Sequence, residues 1–206
     1  AEYIFNLLKP DYAVVGDGED AMVRLANGEI ADNDTLRVRI IQGTPATENP
    51  FPDYETFGIQ EMLDKYSMST RLLYRYSRLY PRPFSIVASR GCPFSCTFCI
   101  HKDGRHTRKY RARSIESILD EIKITYVKYR YNVLLLLDEL FAVNKERMRE
   151  FCFGIAEGKL KYGWDFDWTF QTHASAKLDL PTLNLAKNTG CFYFSYGIES
   201  ASPAVL

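Results

Sequence analysis

From residue 84 onward the chain alternates short apolar runs with longer stretches whose apolar residues recur every three or four positions. The runs are Phe84–Ala88, Val133–Leu137, Phe166–Thr172 and Cys191–Tyr196. Between them lie three helical patterns. Ser114 stands as an N-cap, with Ile115, Ile118, Leu119 and Ile122 on one face and Asp120 and Glu121 turned outward. Asn144 caps a second helix that places Met148, Phe151, Cys152 and Ile155 together. Pro181 opens a third helix, which ends at Gly190. A run as apolar as Val133–Leu137 suits a parallel strand covered on both faces. Strand–helix repetition of this length predicts a parallel α/β sheet or barrel.

The pattern before residue 84 is less regular. Ile4, Leu7 and Leu8 mark one helix face, Asp11–Val15 reads as a strand, and Gly16-Asp17-Gly18-Glu19 turns the chain into a second helix. A glycine-rich turn between strand and helix presents backbone N–H groups to a ligand. Leu36–Ile41 alternates apolar and basic residues and predicts one strand of a hairpin. Thr44 to Asp53 holds Pro45, Pro50 and Pro52 and reads as extended linker. A helix is expected over Ile59–Tyr66. Beyond it Arg71, Arg75, Arg78 and Arg82 alternate with Tyr74, Tyr76 and Tyr80, which predicts rings packed inward and guanidinium groups outward. The other reading of that stretch is a nucleic-acid surface of cations and stacking rings.

Composition narrows the classes. A chain of 206 residues with zero net charge has room for one domain, or one and part of another. No apolar run approaches the ~20 residues of a membrane span, and no signal-peptide pattern opens the chain. Five cysteines, three of them clustered, do not form a disulfide framework. A reducing, cytoplasmic setting is expected. Cys152 and Cys191 sit among apolar neighbours and read as packing residues. Both ends read as internal to a longer chain: there is no initiating Met, and Ser202-Pro203 begins a helix just before the last residue.

The candidate chemistry is concentrated in Ser89–Cys99. It carries Cys92, Cys96 and Cys99 in a C-x-x-x-C-x-x-C spacing, with Gly91, Pro93 and Ser95 between them as loop formers. Thiolates are the ligands of iron–sulfur clusters, and a four-iron cube takes four. Three leave one iron open, as a catalytic metal requires. Other polar groups close the remaining strands: Asp138-Glu139, Thr172-His173 and Ser195–Ser200. In α/β barrels such strand ends converge on one mouth.

The spacing, the aromatic Phe98 before the third cysteine and the preceding strand together resemble the signature of the radical S-adenosylmethionine (SAM) enzymes. That resemblance implies a [4Fe–4S] cluster on Cys92, Cys96 and Cys99, with SAM chelating the fourth iron and being cleaved to methionine and a 5′-deoxyadenosyl radical. It implies Phe98 beside the adenine. Glu139 follows the second strand where the family holds the SAM amino group, although the usual glycines are missing. Residues 134–144 are similar to the family's cobalamin-associated branch, as is Gly197-Ile198-Glu199-Ser200, which would bring Glu199 near SAM. His173 stands where relatives often place an arginine, as a carboxylate contact. The four strand–helix units match the first four of the family's six-unit partial barrel.

Residues 10–22 resemble the last strand, turn and helix of a cobalamin-binding Rossmann-like domain, though the D-x-H-x-x-G cobalt-ligand motif is absent. The implied layout is a domain remnant at 1–28, a linker at 29–83 and a truncated barrel at 84–206. Cobalamin is expected in the full-length protein and not in this piece alone. The implied function is methylation or rearrangement of an unactivated carbon in a small-molecule substrate. Flavodoxin or ferredoxin would act as electron donor, with no membrane and no nucleic-acid partner. One alternative is a non-catalytic iron–sulfur or zinc module, with His101 as a fourth ligand and the basic run His101–Arg113 facing nucleic acid. That run would otherwise be a solvated loop or a screen over an anionic cluster. A methylthiotransferase is the alternative within the family.

Overall fold

The computed structural model describes residues 2–30, 40–43, 49–65, 77–99, 110–202 and 204. They form two units, Ala1–Pro50 and Phe51–Leu206.

In the first unit, α1 (Glu2–Leu8) leads into β1 (Ala13–Val15), and α2 (Glu19–Ala26) follows the Gly16–Gly18 turn. The expected hairpin is corrected here. β2 (Ile40–Gln42) pairs parallel with β1, with Ala13 opposite Ile40. The intervening α2 is the reason, since a helical crossover returns the chain in the same direction whereas a tight turn reverses it. Residues 36–39 lie outside the described residues. Gly43, just past β2, is a position only glycine fits: a Cβ there would lie 1.6 Å from the Asp17 carbonyl oxygen.

The second unit holds a four-stranded parallel sheet of β3 (Pro83–Ile86), β6 (Val133–Leu136), β7 (Asp167–Thr172) and β8 (Cys191–Tyr196), in chain order. Between successive strands run α4 (Ile115–Tyr129), α5 (Lys145–Tyr162) and α6 (Leu180–Asn188). A short helix, α3 (residues 59–65), precedes the sheet. α4 packs on α5 and α5 on α6, so the helices share one face. An order that never reverses, with every helix on one side, is the winding of an α/β barrel and not of a doubly wound sheet. The second unit thus has barrel-type winding over four strands, and the first is a parallel β–α–β piece.

The patterning explains the core. Trp168, Phe170 and Thr172 alternate along β7 toward the helices and are buried. Leu134 and Leu136 join them, together with Ile118, Ile122, Met148, Phe151, Cys152 and Ile155. The expected caps are in place: Ser114 accepts from the Ser117 N–H and Asn144 from the Arg147 N–H. Pro181 lies in the first turn of α6, but the cap is Asp179, which accepts from the Thr182 N–H.

Two other expectations are corrected. Glu121 is not turned outward. It is 1% exposed, and it accepts from Arg113 Nη1 and Tyr54 Oη, each at 2.5 Å. Two donors make burial of this carboxylate tolerable. Tyr80 does not pack inward and is exposed. Arg78 binds Asp165 and Asp167, and Arg82 binds Asp64. The rest of that arginine–tyrosine stretch, residues 71–76, lies outside the described residues. Within the expected linker, Leu63 is buried in the barrel core and Tyr54 packs against it. No described helix is long and apolar enough to cross a membrane.

Candidate active site

The site begins where β3 ends. Two residues further on, β4 (Ser89–Arg90) forms a short antiparallel ladder with β5 (Arg111–Ala112), Ser89 opposite Ala112 and Arg90 opposite Arg111. The ladder closes the base of the cysteine loop. Gly91 leaves it at φ +79°, a left-handed turn that an L side chain rarely adopts. Within the loop the Cys99 N–H donates to the Cys96 carbonyl at 3.1 Å, a turn that sets these two cysteines close in space.

Asp138 anchors this loop from the next strand. Its Oδ1 accepts from the Ala88 N–H at 2.7 Å and its Oδ2 from Ser89 Oγ at 2.5 Å. Ser89 Oγ also lies 3.0 Å from the Leu140 carbonyl. Asp138 is buried, and burial pushes its carboxyl up from the usual range despite those donors. It does not cap the following helix; Asn144 does. Both Asp138 and Glu139 line the cavity beyond the end of β6; Asp138 is buried by its bonds to the loop, and Glu139 is exposed.

The cavity has a volume of about 460 Å³, within the range of small-ligand sites. Cys92, Cys96, Cys99 and Phe98 line it from the β3 end. Glu139 lines it after β6, His173 after β7, and Glu199 after β8. The candidate cluster and SAM residues therefore border one space at the C-terminal ends of the parallel strands. Phe98 is 68% exposed there. Gly197 lies against the Glu199 carboxylate: a Cβ at position 197 would lie 2.7 Å from Oε1. Glu199 itself sits at φ +63°, a left-handed conformation costly for a non-glycine residue and typical of constrained functional sites.

The electrostatics ask for a cation. Burial pushes the Cys92 thiol up, and the negative charges of Glu139, Cys96 and Cys99 add to it. No Lys or Arg is among the described lining residues. Arg113, expected as a possible screen over the site, instead binds Glu121, the Val87 carbonyl and Ser117. Residues 101–109, including His101, lie outside the described residues. Cys92, Cys96 and Cys99 line one cavity, and in an iron–sulfur cluster each thiolate takes its own iron. The donor set fits a [4Fe–4S] group. Cys152 and Cys191 do not line this cavity, and burial pushes their thiols up to about 11 and about 12.

Two features escaped the sequence reading. One is the Asp138 anchor, which looks in sequence like the twin of Glu139. The other is the seating of His173, whose ring stacks on Phe94 with centroids 3.9 Å apart. Neither contact has a signature in sequence spacing.

Residues 86–206 match the family model described as the radical SAM superfamily, which is more than half of the chain. The chain belongs to the radical SAM superfamily. An uncharacterized methyltransferase of Pyrococcus horikoshii is 32% identical over 125 residues, covering 60% of this chain and 26% of that protein. The anaerobic magnesium-protoporphyrin IX monomethyl ester cyclase of Cereibacter sphaeroides is 27% identical over 201 residues, covering 93% and 32%. Among solved structures, the radical SAM methyltransferase TsrM of Kitasatospora setae, with cobalamin and a [4Fe–4S] cluster bound, aligns with a TM-score of 0.52 at 20% identity. That alignment covers 65% of this chain and 24% of TsrM. The chain thus spans about a quarter to a third of the length of these relatives. For this radical SAM chain, the likeness to TsrM supports the barrel-type fold described above.

Proposed function

We propose that the chain carries the cluster and SAM site of a radical SAM enzyme acting on an unactivated carbon of a small molecule. One observation carries the reading: three cysteines from one loop share a single cavity with Glu139, His173 and Glu199, each from a different strand end. Cys92, Cys96 and Cys99 would hold the [4Fe–4S] cluster, leaving one iron without a protein ligand. When bound, the cluster supplies the electron that cleaves SAM to methionine and the 5′-deoxyadenosyl radical.

The chain's own residues bind and orient. Glu139 faces the cavity as an acceptor for the SAM ammonium group, and Phe98 offers a ring face to the adenine. Glu199 closes the far side as a polar contact to SAM. Asp138 holds the cysteine loop against the sheet. The electron would come from a small carrier of the flavodoxin or ferredoxin kind.

For the reaction we favour methyl transfer, because the Pyrococcus relative and TsrM are described as methyltransferases. Rearrangement or ring closure is the second reading, favoured by the Cereibacter cyclase. Cobalamin belongs to this proposal only as a group that a protein of the relatives' full length would add. Residues 1–50 contain no histidine, so they offer cobalt no imidazole.

The test is anaerobic reconstitution followed by reduction in the presence of SAM. Formation of 5′-deoxyadenosine and methionine, lost in Cys99→Ser, supports the reading. A chain that takes up zinc tightly and no iron contradicts it.

A further inference from the structure

His173 carries a more specific assignment than general proximity to SAM. It follows β7 directly and has extended backbone, φ −96° and ψ 148°. Its Nδ1 accepts the Ser175 N–H at 3.1 Å, capping the single 3₁₀ turn Ala174–Ala176. An imidazole whose Nδ1 accepts carries its proton on Nε2. Nε2 lies 3.9 Å from Cys96 Sγ. Phe94, from the cysteine loop itself, stacks on the ring at 19° between planes. Backbone on one side and Phe94 on the other thus fix both the tautomer and the direction of the ring. The nearby polar atom is the sulfur of Cys96, one of the three cysteines of the loop.

We propose that His173 is a positioning residue for the cluster: its Nε2–H donates to Cys96 Sγ and makes the cluster easier to reduce. This revises the expected contact with the SAM carboxylate. It rests on the proposed cluster on Cys92, Cys96 and Cys99. The physical reason is charge. Reduction adds an electron to a cluster whose negative charge is partly on its thiolates. A fixed N–H donor stabilises that charge more in the reduced state than in the oxidised one. The effect matters at this site because its other described charged lining residues are anionic, and Glu139 and Glu199 oppose the added electron.

Two substitutions separate the donor from the cap. His173→Asn places an amide oxygen near the position of Nδ1, so it retains an acceptor for the Ser175 N–H but has nothing at the position of Nε2. His173→Gln reaches further and returns an N–H toward Cys96. The experiment is an EPR-monitored redox titration of the anaerobically reconstituted 206-residue chain, with iron and sulfide content measured in each sample. We expect equal iron content in all three proteins. His173→Asn should be about tenfold harder to reduce, which for one electron is ~59 mV to the negative side. His173→Gln should recover at least half of that shift. Equal midpoints in all three proteins overturn the assignment, as does an equal shift in both variants. Loss of iron from His173→Asn alone also counts against it, since an amide caps residue 175 as well as the ring does. A wild-type chain that assembles no four-iron signal overturns the cluster reading itself, whereas a normal signal with an unmoved midpoint overturns only the role of His173.

Discussion

The two ends of the parallel sheet treat charge in opposite ways. At the N-terminal end the ion pairs close within the protein. Arg78 binds Asp165 at 2.7 Å and Asp167 at 2.8 Å, and it holds the Asp165 carboxyl below its usual range. Phe84, at the start of β3, stacks on Tyr131 at 4.6 Å, with Tyr54 and Tyr129 around it. At the C-terminal end, three thiols and two glutamates share a cavity with no described Lys or Arg in its lining, and the Cys92 thiol is pushed up. One end is satisfied within the protein. The other is arranged for something the protein does not itself supply. In α/β barrels this is the division between a face that holds the fold and a face that does chemistry.

Substitutions can break that division. The largest effect belongs to the mouth: Cys92→Ser, Cys96→Ser or Cys99→Ser should abolish the reconstituted four-iron EPR signal. Cys152→Ser, aimed at the core, should leave it intact. At the base, Phe84→Ala should cost about 3–5 kcal/mol in urea unfolding while the iron taken up by the folded fraction stays at the wild-type level. Asp138→Ala sharpens the comparison, because it lies at the mouth yet behaves as a structural residue. It orphans the Ala88 N–H and should cost about 1–3 kcal/mol and reduce iron loading. Its neighbour should do the reverse: Glu139→Gln should move stability by no more than ~0.5 kcal/mol while abolishing the change that SAM makes in the EPR spectrum.

The smallest effect is a pH dependence away from both ends. Thr182 and then Arg149 and Lys145 lower the Asp179 carboxyl to about 2. A depressed folded value means its contribution is complete above about pH 4 and is lost as pH falls toward 2. Thermal unfolding across that window should show a shallower acid-side decline in Asp179→Asn than in wild type.

Much of this was legible in the sequence because the relevant signals are local. The wholly apolar Val133–Leu137 announced a parallel strand, and Ser114 and Asn144 announced their helices. The C-x-x-x-C-x-x-C spacing announced the loop. Strand ends share a mouth by topology, so Glu139, His173 and Glu199 could be gathered without coordinates. What could not be read depends on partners far along the chain. Glu121 faces inward because Arg113 and Tyr54 meet it, and Tyr54 is 67 positions away. Asp138 and Glu139 look equivalent in sequence, and only the position of Ala88 and Ser89 separates them. The parallel pairing of β2 with β1 was missed because alternation along one strand does not reveal the direction of its neighbour.

The central claim is that three cysteines leave one corner of a four-iron cluster open at the strand ends, where SAM binds through its own amino and carboxylate groups. Electron–nuclear double resonance on the reduced, reconstituted chain with SAM labelled by nitrogen-15 at the amino group or oxygen-17 at the carboxylate tests it directly. Resolved coupling from both labels to the cluster, abolished in Cys96→Ser, is the predicted result. A four-iron cluster that shows coupling to neither label, with or without an excess of SAM, would contradict the account.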